Sequence, residues 1–365
     1  MKINSAKFRL ATPDDIELDT YDNTKLVALN TCPTWGVLRY QMHKRMPGSG
    51  RAMALEAGTA MHDVFAWVRL WHWAQQNTKN FPISKIEEAC AFHGFRLFGR
   101  DRYNTVIGAI PTREDFTQQC KLGALTILET SGFYDDPKDR RRTMGNLEEC
   151  ALAYIDRWNW KVPVWMRNND DLFGDIGIEI PFDLVVNVET VEDASFDWPA
   201  SINFRLTGKI DGIHVHDDKI TLHENKTASR LNEAWSMSFA LATQVTGYCL
   251  AASTFTEASV NNAVIHGLSI PLPKSYDFGG IVREHVSRKD YHYQRWIEWA
   301  VHTVAMYEQY KNNPIDSPKY THSCNRYFQP CSFIPFCDND SDEQKVVLEQ
   351  MVTEEWSPLH EKTGE

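Results

Sequence analysis

Residues 206–248 read LTGKIDGIHVHDDKITLHENKTASRLNEAWSMSFALATQVTGY, the pattern of two strands joined by a tight turn and followed by a helix. Ile210 to His216 alternate loosely between apolar and polar, Asp217-Asp218 supply turn residues, and Lys219 to Lys226 form the return strand. With a two-residue turn His216 faces Lys219, and the same register carries down to Asp211 opposite Glu224. Cross-strand partners share a face with Cβ atoms about 5 Å apart, and Lys226, two residues on, projects from that face. Facing carboxylates repel unless a cation lies between them, and oxygen ligands suit a hard ion such as Mg²⁺ or Mn²⁺. A lysine beside the pair can orient a water or stabilise charge developing in a transition state. The arrangement suits metal-assisted hydrolysis of a phosphodiester. A solvated hairpin face carrying charges of both signs is the competing reading, and a three-residue turn would undo the register.

These residues resemble the core of the PD-(D/E)XK nucleases, most closely its RecB-like branch. The G-x-x-D element is Gly208-Lys209-Ile210-Asp211, E-x-K is Glu224-Asn225-Lys226, and Q-x-x-x-Y is Gln244 and Tyr248. The last two are four apart and so share a helix face. The resemblance implies Asp211 and Glu224 as metal ligands and Lys226 as the catalytic lysine. It implies that Gln244 and Tyr248 position DNA or the site. It also implies a further ligand in His62, which stands in Gly58-Thr59-Ala60-Met61-His62 early on an amphipathic helix. Read alone, a helical histidine is structural.

The chain has 365 residues, enough for one large domain or two ordinary ones, and its 42 % hydrophobic and 24 % charged content is that of a globular protein. Twelve tryptophans argue for a substantial core. The first residues, MKINSAKFRL, lack the apolar region of a signal peptide, and no run of about 18 apolar residues occurs, so the expectation is a cytoplasmic protein with no membrane contact. The net charge of −11 runs against a simple nucleic-acid binder, leaving DNA affinity to a metal, to local basic clusters or to a partner.

Residues 1–30 read as an irregular, acidic lead-in, and Cys32 opens a helix near Pro33. Gly48-Ser49-Gly50 reads as a flexible break before the helix ALEAGTAMHDVFAWVRLWHWAQQ, which carries His62. Residues 75–165 read mainly as helices, an insertion that could roof the site. Cys90, Cys120 and Cys150 fall thirty apart within it, but their flanks do not match, so they are core residues rather than marks of a repeat. Arg140, Arg141 and Arg142 make a basic loop suited to a phosphate backbone or simply to solvent. Strands start near Asp175, and Glu179 in the first of them faces the metal only if the strand turns that way. A helix from about Ser229 to Phe255 follows the hairpin, then a strand at 261–269 and a long helix from HVSRKDY onward. The order implies an α/β fold with a mixed central sheet flanked by helices. The expected segments are 1–62, 63–170 (helical insertion), 171–310 (nuclease core), 311–340 (cysteine cluster) and 341–365 (peripheral tail).

Near the end Cys324, Cys331 and Cys337 lie close in sequence, and Cys32 is the candidate fourth ligand. Zinc and iron–sulfur cubes both take four ligands, so spacing leaves the two open, with unliganded thiols as a third reading. RecB-like nucleases with an iron–sulfur staple place one cysteine before the core and three after it. The order Cys32, His62, Asp211, Glu224-x-Lys226, Gln244-x-x-x-Tyr248, Cys324/Cys331/Cys337 is similar to theirs. The gaps of six and five residues are wider than the more familiar C-x2-C-x5-C. The resemblance implies a 4Fe–4S cluster in preference to zinc, with a structural role.

The resulting expectation is a restriction-endonuclease-like fold with an iron–sulfur staple. Its activity would be a metal-dependent DNA exonuclease acting on single-stranded or frayed ends in recombination, repair or phage DNA processing. A recombination or replication protein is the implied partner. No G-x-x-x-x-G-K-[ST] helicase motif occurs. The rivals are a nucleic-acid or protein-binding module that keeps the fold without the chemistry, and a zinc-stapled hydrolase of another phosphate ester.

Overall fold

The computed structural model describes residues 3–48, 53–110, 115–157, 163–168, 170–190, 199–272, 280–326 and 329–355. The chain starts with β1 (Ile3–Leu10), a short β2 (Thr20–Tyr21), α1 (Asn23–Thr31), α2 (Pro33–Gly36), a π-helical turn over Val37–Gln41 and β3 (Lys44–Arg45). A helical block follows: α3 (Met53–Asn77), α4 (Ile83–Phe98), α5 (Arg100–Gly108), α6 (Phe116–Glu129) and α7 (Met144–Arg157). Then come β4 (Ile178–Thr190), β5 (Ser201–His216), β6 (Lys219–Ala228), α8 (Glu233–Met237), α9 (Thr243–Thr256), β7 (Asn262–Ser269), β8 (Ile281–Ser287) and α10 (Asp290–Glu308). The C-terminal part holds β9 (Asn325–Arg326), β10 (Gln329–Pro330), α11 (Ile334–Cys337), α12 (Ser341–Gln350) and β11 (Val352–Thr353).

The central sheet runs β1-β4-β5-β6-β7-β8, with β2 added parallel to β5. β6 and β7 pair in parallel while the other neighbours along the path are antiparallel, giving the expected mixed sheet. The β5–β6 hairpin closes through Asp217 and Asp218, whose φ values of 47° and 59° suit a two-residue turn of the type that matches strand twist. His216 pairs with Lys219 and Gly212 with His223, the register expected from sequence.

Two helical layers cover the sheet. On one side α3 packs with α4, α6 and α7 around Val64, Phe65, Trp67 and Leu147. Buried residues surround α3 on nearly every side (Trp67, Val68, Arg69, Leu70 and Trp73 are consecutive or nearly so), which marks it as the layer's central helix. On the other side α1, α9 and α10 pack on Phe204, Leu206, Ile213 and Leu222. A smaller core of Leu38, Phe333, Phe336 and Met351 joins the π-helical turn to the C-terminal elements.

Several local expectations are corrected. Residues 1–30 are not irregular: β1 pairs along β4 and α1 is capped by the Asp22 side chain. β1 is half-exposed, so pairing with a neighbour rather than an apolar run makes it a strand. The helix expected over 229–255 is broken into α8 and α9. Buried Arg288 donates to the carbonyls of Phe239, Ala240 and Ala242 at the break and so supplies the partners a continuous helix would have given them. Residues 281–287, whose last part was expected to open the long helix, form β8 against β7, and α10 begins at Asp290. The helix carrying His62 runs unbroken to Asn77, so the N-terminal segment and the helical block share it. Ser49 and Gly50, most of the turn at 270–280 and the last ten residues lie outside the described residues.

Candidate active site

Asp211 and Glu224 lie one step beyond the Gly212–His223 pair, where the β5–β6 ladder ends. Freed from the ladder, the backbone N–H of Asn225 donates to Asp211 Oδ2 at 2.7 Å. Both carboxylates are buried, Asp211 to 4 % and Glu224 to 1 % exposure. Lys226 Nζ donates to Glu224 Oε1 at 2.6 Å, and Gln244 Nε2 reaches the same oxygen at 3.1 Å. Glu224 Oε2 has no hydrogen-bond partner among the described residues. Tyr248, one turn beyond Gln244, interacts with its side chain and meets Phe182 edge-on with ring centroids 5.5 Å apart.

Gly208, the first residue of the G-x-x-D element, has a packing role. A Cβ there would stand 2.6 Å from Phe182 Cζ and 3.3 Å from Tyr248 Cε1, so the hydrogen-only side chain makes room for the aromatic pair.

His62 comes to the same place from α3, its Nδ1 3.3 Å from Asp211 Oδ1 and its side chain about a third exposed (31 %). The third member of the group is Glu179. Among the described residues, His62, Glu179 and Asp211 have ligand atoms within 4.8 Å of one another, and Glu224 falls outside that spacing. Glu179 lies between the Ile178–Gly212 and Ile180–Ile210 pairs, opposite Asp211, with φ of +47°. That left-handed backbone is uncommon for a residue with a Cβ and marks a functional or strained position. Lys209 pairs with Glu179 Oε2 at 2.9 Å, while Glu179 Oε1 has no partner among the described residues.

The electrostatics divide the acids. Burial works against ionising Asp211, but His62, Lys226 and Arg69 outweigh it and hold that carboxyl well below the usual range. Glu224 is pushed up to about 7 by burial and then by the Asp211 charge, with Lys226 offsetting part of the rise. Burial also raises Glu179, and Lys209 pulls it back only in part. For His62 and Lys226 burial favours the neutral forms, yet the carboxylates prevail and raise both. Lys226 is therefore a cation at neutral pH, suited to stabilising negative charge rather than to removing a proton.

One imidazole, several buried carboxylates and two orphaned carboxylate oxygens form a donor set that fits Mg²⁺ or Mn²⁺.

Cys32 reaches the segment that leads to the three C-terminal cysteines, but the four form no ligand group among the described residues. Cys32 caps the start of α2, with Sγ 3.9 Å from the Pro318 carbonyl, and Thr34 Oγ1 donates to that carbonyl at 2.9 Å. The Cys331 N–H donates to the Cys324 carbonyl at 2.7 Å. The Cys337 thiol is pushed up to about 11 by burial and by Cys32, with smaller effects of Cys331 and Cys324. Cys331 is raised by burial, offset in part by a backbone hydrogen bond at Phe333, and raised further by Cys32 and Cys324. All four thiols are free, and among the described residues they do not meet the 4.8 Å ligand spacing of the His62 group. Cys120 and Cys150 are buried in the helical layer, as expected of core residues. In the basic loop Arg142 is tied to Asp139 at 2.6 Å.

The model of the PD-(D/E)XK nuclease superfamily matches residues 111–338, more than half of the chain. The chain belongs to the PD-(D/E)XK nuclease superfamily. The match takes in the hairpin, α9 and the three C-terminal cysteines, while Cys32 and His62 lie upstream of it. No curated protein matches the chain. For a PD-(D/E)XK protein the family activity is phosphodiester hydrolysis on nucleic acid with Mg²⁺ or Mn²⁺. Among the described residues no helix is long and apolar enough to cross a membrane.

Sequence reasoning left Glu179 out of the ligand set and missed Lys209 and Arg69. Lys209 stands inside the G-x-x-D element, and Arg69 lies seven residues after His62 on the same helix. The face taken by Glu179 depends on its positive φ, for which sequence gives no signal.

Proposed function

We propose that this PD-(D/E)XK protein is a metal-dependent DNA exonuclease acting on single-stranded or frayed ends, with Lys226 as its catalytic lysine. The observation that carries the nuclease reading is the convergence of His62, Glu179, Asp211, Glu224 and Lys226 at one end of the β5–β6 hairpin. His62, Glu179, Asp211 and the unpartnered Oε2 of Glu224 would hold the ion, which when bound supplies Lewis acidity and an activated water. Asp211 stays ionised, anchored by the Asn225 N–H. Glu224 gathers Lys226 and Gln244 on its other oxygen, which fixes the ammonium beside the metal site. There Lys226 can orient the attacking water and balance charge on the scissile phosphate. Gln244 and Tyr248, linked to each other and to Glu224, brace this arrangement from α9.

The preference for ends rests on the resemblance of the ordered motif set to the RecB-like branch. The test compares linear end-labelled DNA, single- and double-stranded, with circular single-stranded DNA in Mn²⁺. Stepwise shortening of linear strands with circles left intact is expected. Cleavage of circles overturns the exonuclease reading and leaves an endonuclease.

Cys32, Cys324, Cys331 and Cys337 are proposed to hold a 4Fe–4S cluster that ties the N-terminal segment to the C-terminal one. The shared electrostatic neighbourhood of the four thiols supports this, as does the joint core of Leu38, Phe333 and Phe336. Anaerobically purified protein should contain iron and inorganic sulfide in equal amounts, lost in Cys331→Ser along with several degrees of Tm. Zinc without sulfide would overturn the assignment.

A further inference from the structure

We infer that Arg69 is a positioning residue for the metal site, locking α3, and His62 with it, onto the carboxylate-bearing strands. The inference rests on the reading of that site as a metal centre. Arg69 is fully buried (0 % exposed) and lies two helical turns beyond His62. Its Nη1 donates to the Asp211 carbonyl at 3.1 Å and its Nη2 to Asn225 Oδ1 at 3.0 Å. Both acceptors belong to the site. Asp211 is a ligand candidate, and Asn225 stands between Glu224 and Lys226 while its N–H holds Asp211 Oδ2.

The strands are shaped to receive the guanidinium. Gly212 follows Asp211, and a Cβ there would stand 3.0 Å from Arg69 Nε and 3.1 Å from Cζ. Nearby, His214, His223 and His266 form a buried stack, with centroids 4.1 Å apart for the first pair and 4.9 Å for the second. His223 Nδ1 and His266 Nε2 share a hydrogen bond of 2.7 Å. Burial disfavours the charged forms of His223 and His266, which keeps further positive charge away from the guanidinium. A buried guanidinium is a weak source of net stability. Its contribution here is geometric: one planar fork bonds two strands and fixes the helix that carries His62. Groups that orient metal ligands from behind change metal affinity when removed, typically by about 10–100-fold.

The test is Mn²⁺ titration calorimetry on the full chain. The proteins are wild type, Arg69→Met, Gly212→Ala and, as a control in the same helical core, Leu147→Ala. The Mn²⁺ Kd should weaken by about 10–100-fold in Arg69→Met and less in Gly212→Ala, and stay unchanged in Leu147→Ala despite a lower Tm. Unaltered affinity in folded Arg69→Met overturns the inference and leaves the metal site standing. An equal loss in Leu147→Ala also overturns it, since the effect would then be general loosening. If Arg69→Met does not fold, Arg69→Lys, which keeps the charge and one donor, should show a smaller but resolved loss. Wild-type affinity in that variant counts against the inference. A wild-type protein that binds no Mn²⁺ overturns the metal-site reading and this inference together.

Discussion

His62 Nδ1 lies 3.3 Å from Asp211 Oδ1, although one residue belongs to α3 and the other to the interior of β5. The contact closes a site from two layers of the fold and brings a nitrogen ligand to buried carboxylates. Without an ion, Asp211 and Glu179 face each other across paired strands, and the Asp211 charge adds to the cost of ionising Glu179.

Metal should therefore stabilise the fold. At a Mn²⁺ concentration near one hundred times Kd the gain is about 2.7 kcal/mol, a few degrees of Tm in a chain of this size. Differential scanning fluorimetry with Mn²⁺ and with EDTA measures it. Asp211→Asn removes a ligand together with the charge that His62, Lys226 and Arg69 favour, so its metal-free Tm should fall below wild type while its response to Mn²⁺ vanishes.

The metal-free protein should lose stability as pH rises from 5 to 8. Glu224 is shifted from 4.5 to about 7, so between those values the folded state holds a proton that the unfolded state has released. His62 acts in the same direction. Its pKa is raised above 6.5, so its stabilisation is complete below 6.5 and disappears as pH passes its folded value. Mn²⁺ must displace both protons, so Kd should tighten over this window, by up to about tenfold per pH unit for each proton released, and level off above it. Calorimetry in buffers of different ionisation enthalpy counts the protons. A flat Kd from pH 5.5 to 8 would contradict the electrostatic picture.

Gly208→Ala should cost stability and activity together. The added methyl meets the Phe182 ring at 2.6 Å and crowds Tyr248. Overpacking of this kind costs about 1–3 kcal/mol, and displacing Tyr248 disturbs its link to Gln244 and hence the oxygen of Glu224 that holds Lys226. Urea denaturation gives the first effect, and DNA cleavage at saturating Mn²⁺ gives the second. Full activity with a normal midpoint would show that the aromatic pair yields without consequence.

The hairpin was legible because its information is local. Two turn residues set the register, and the register decides which side chains face each other, so Asp211, Glu224 and Lys226 could be brought together from sequence. His62 and the cysteines could be placed only by resemblance, since nothing local says that α3 or Cys32 approaches the hairpin or the C-terminal segment. Glu179 escaped because one residue with positive φ decides where it points. The break between α8 and α9 escaped because its partner, Arg288, directly follows a strand whose last residues read as the start of the long helix. β1 escaped because an edge strand half-exposed along its length carries little apolar signal.

The central claim is that Lys226 and the neighbouring carboxylates hydrolyse DNA with a divalent ion. Its most direct test follows single-stranded DNA incubated with wild type, Lys226→Ala and Asp211→Ala, each checked for folding by circular dichroism, in Mn²⁺ and in EDTA. Wild type should degrade the strand in Mn²⁺ and not in EDTA, and each folded variant should be slower by about 10²-fold or more. Undiminished cleavage by folded Lys226→Ala, or DNA left intact by folded, Mn²⁺-loaded wild type, would contradict the claim.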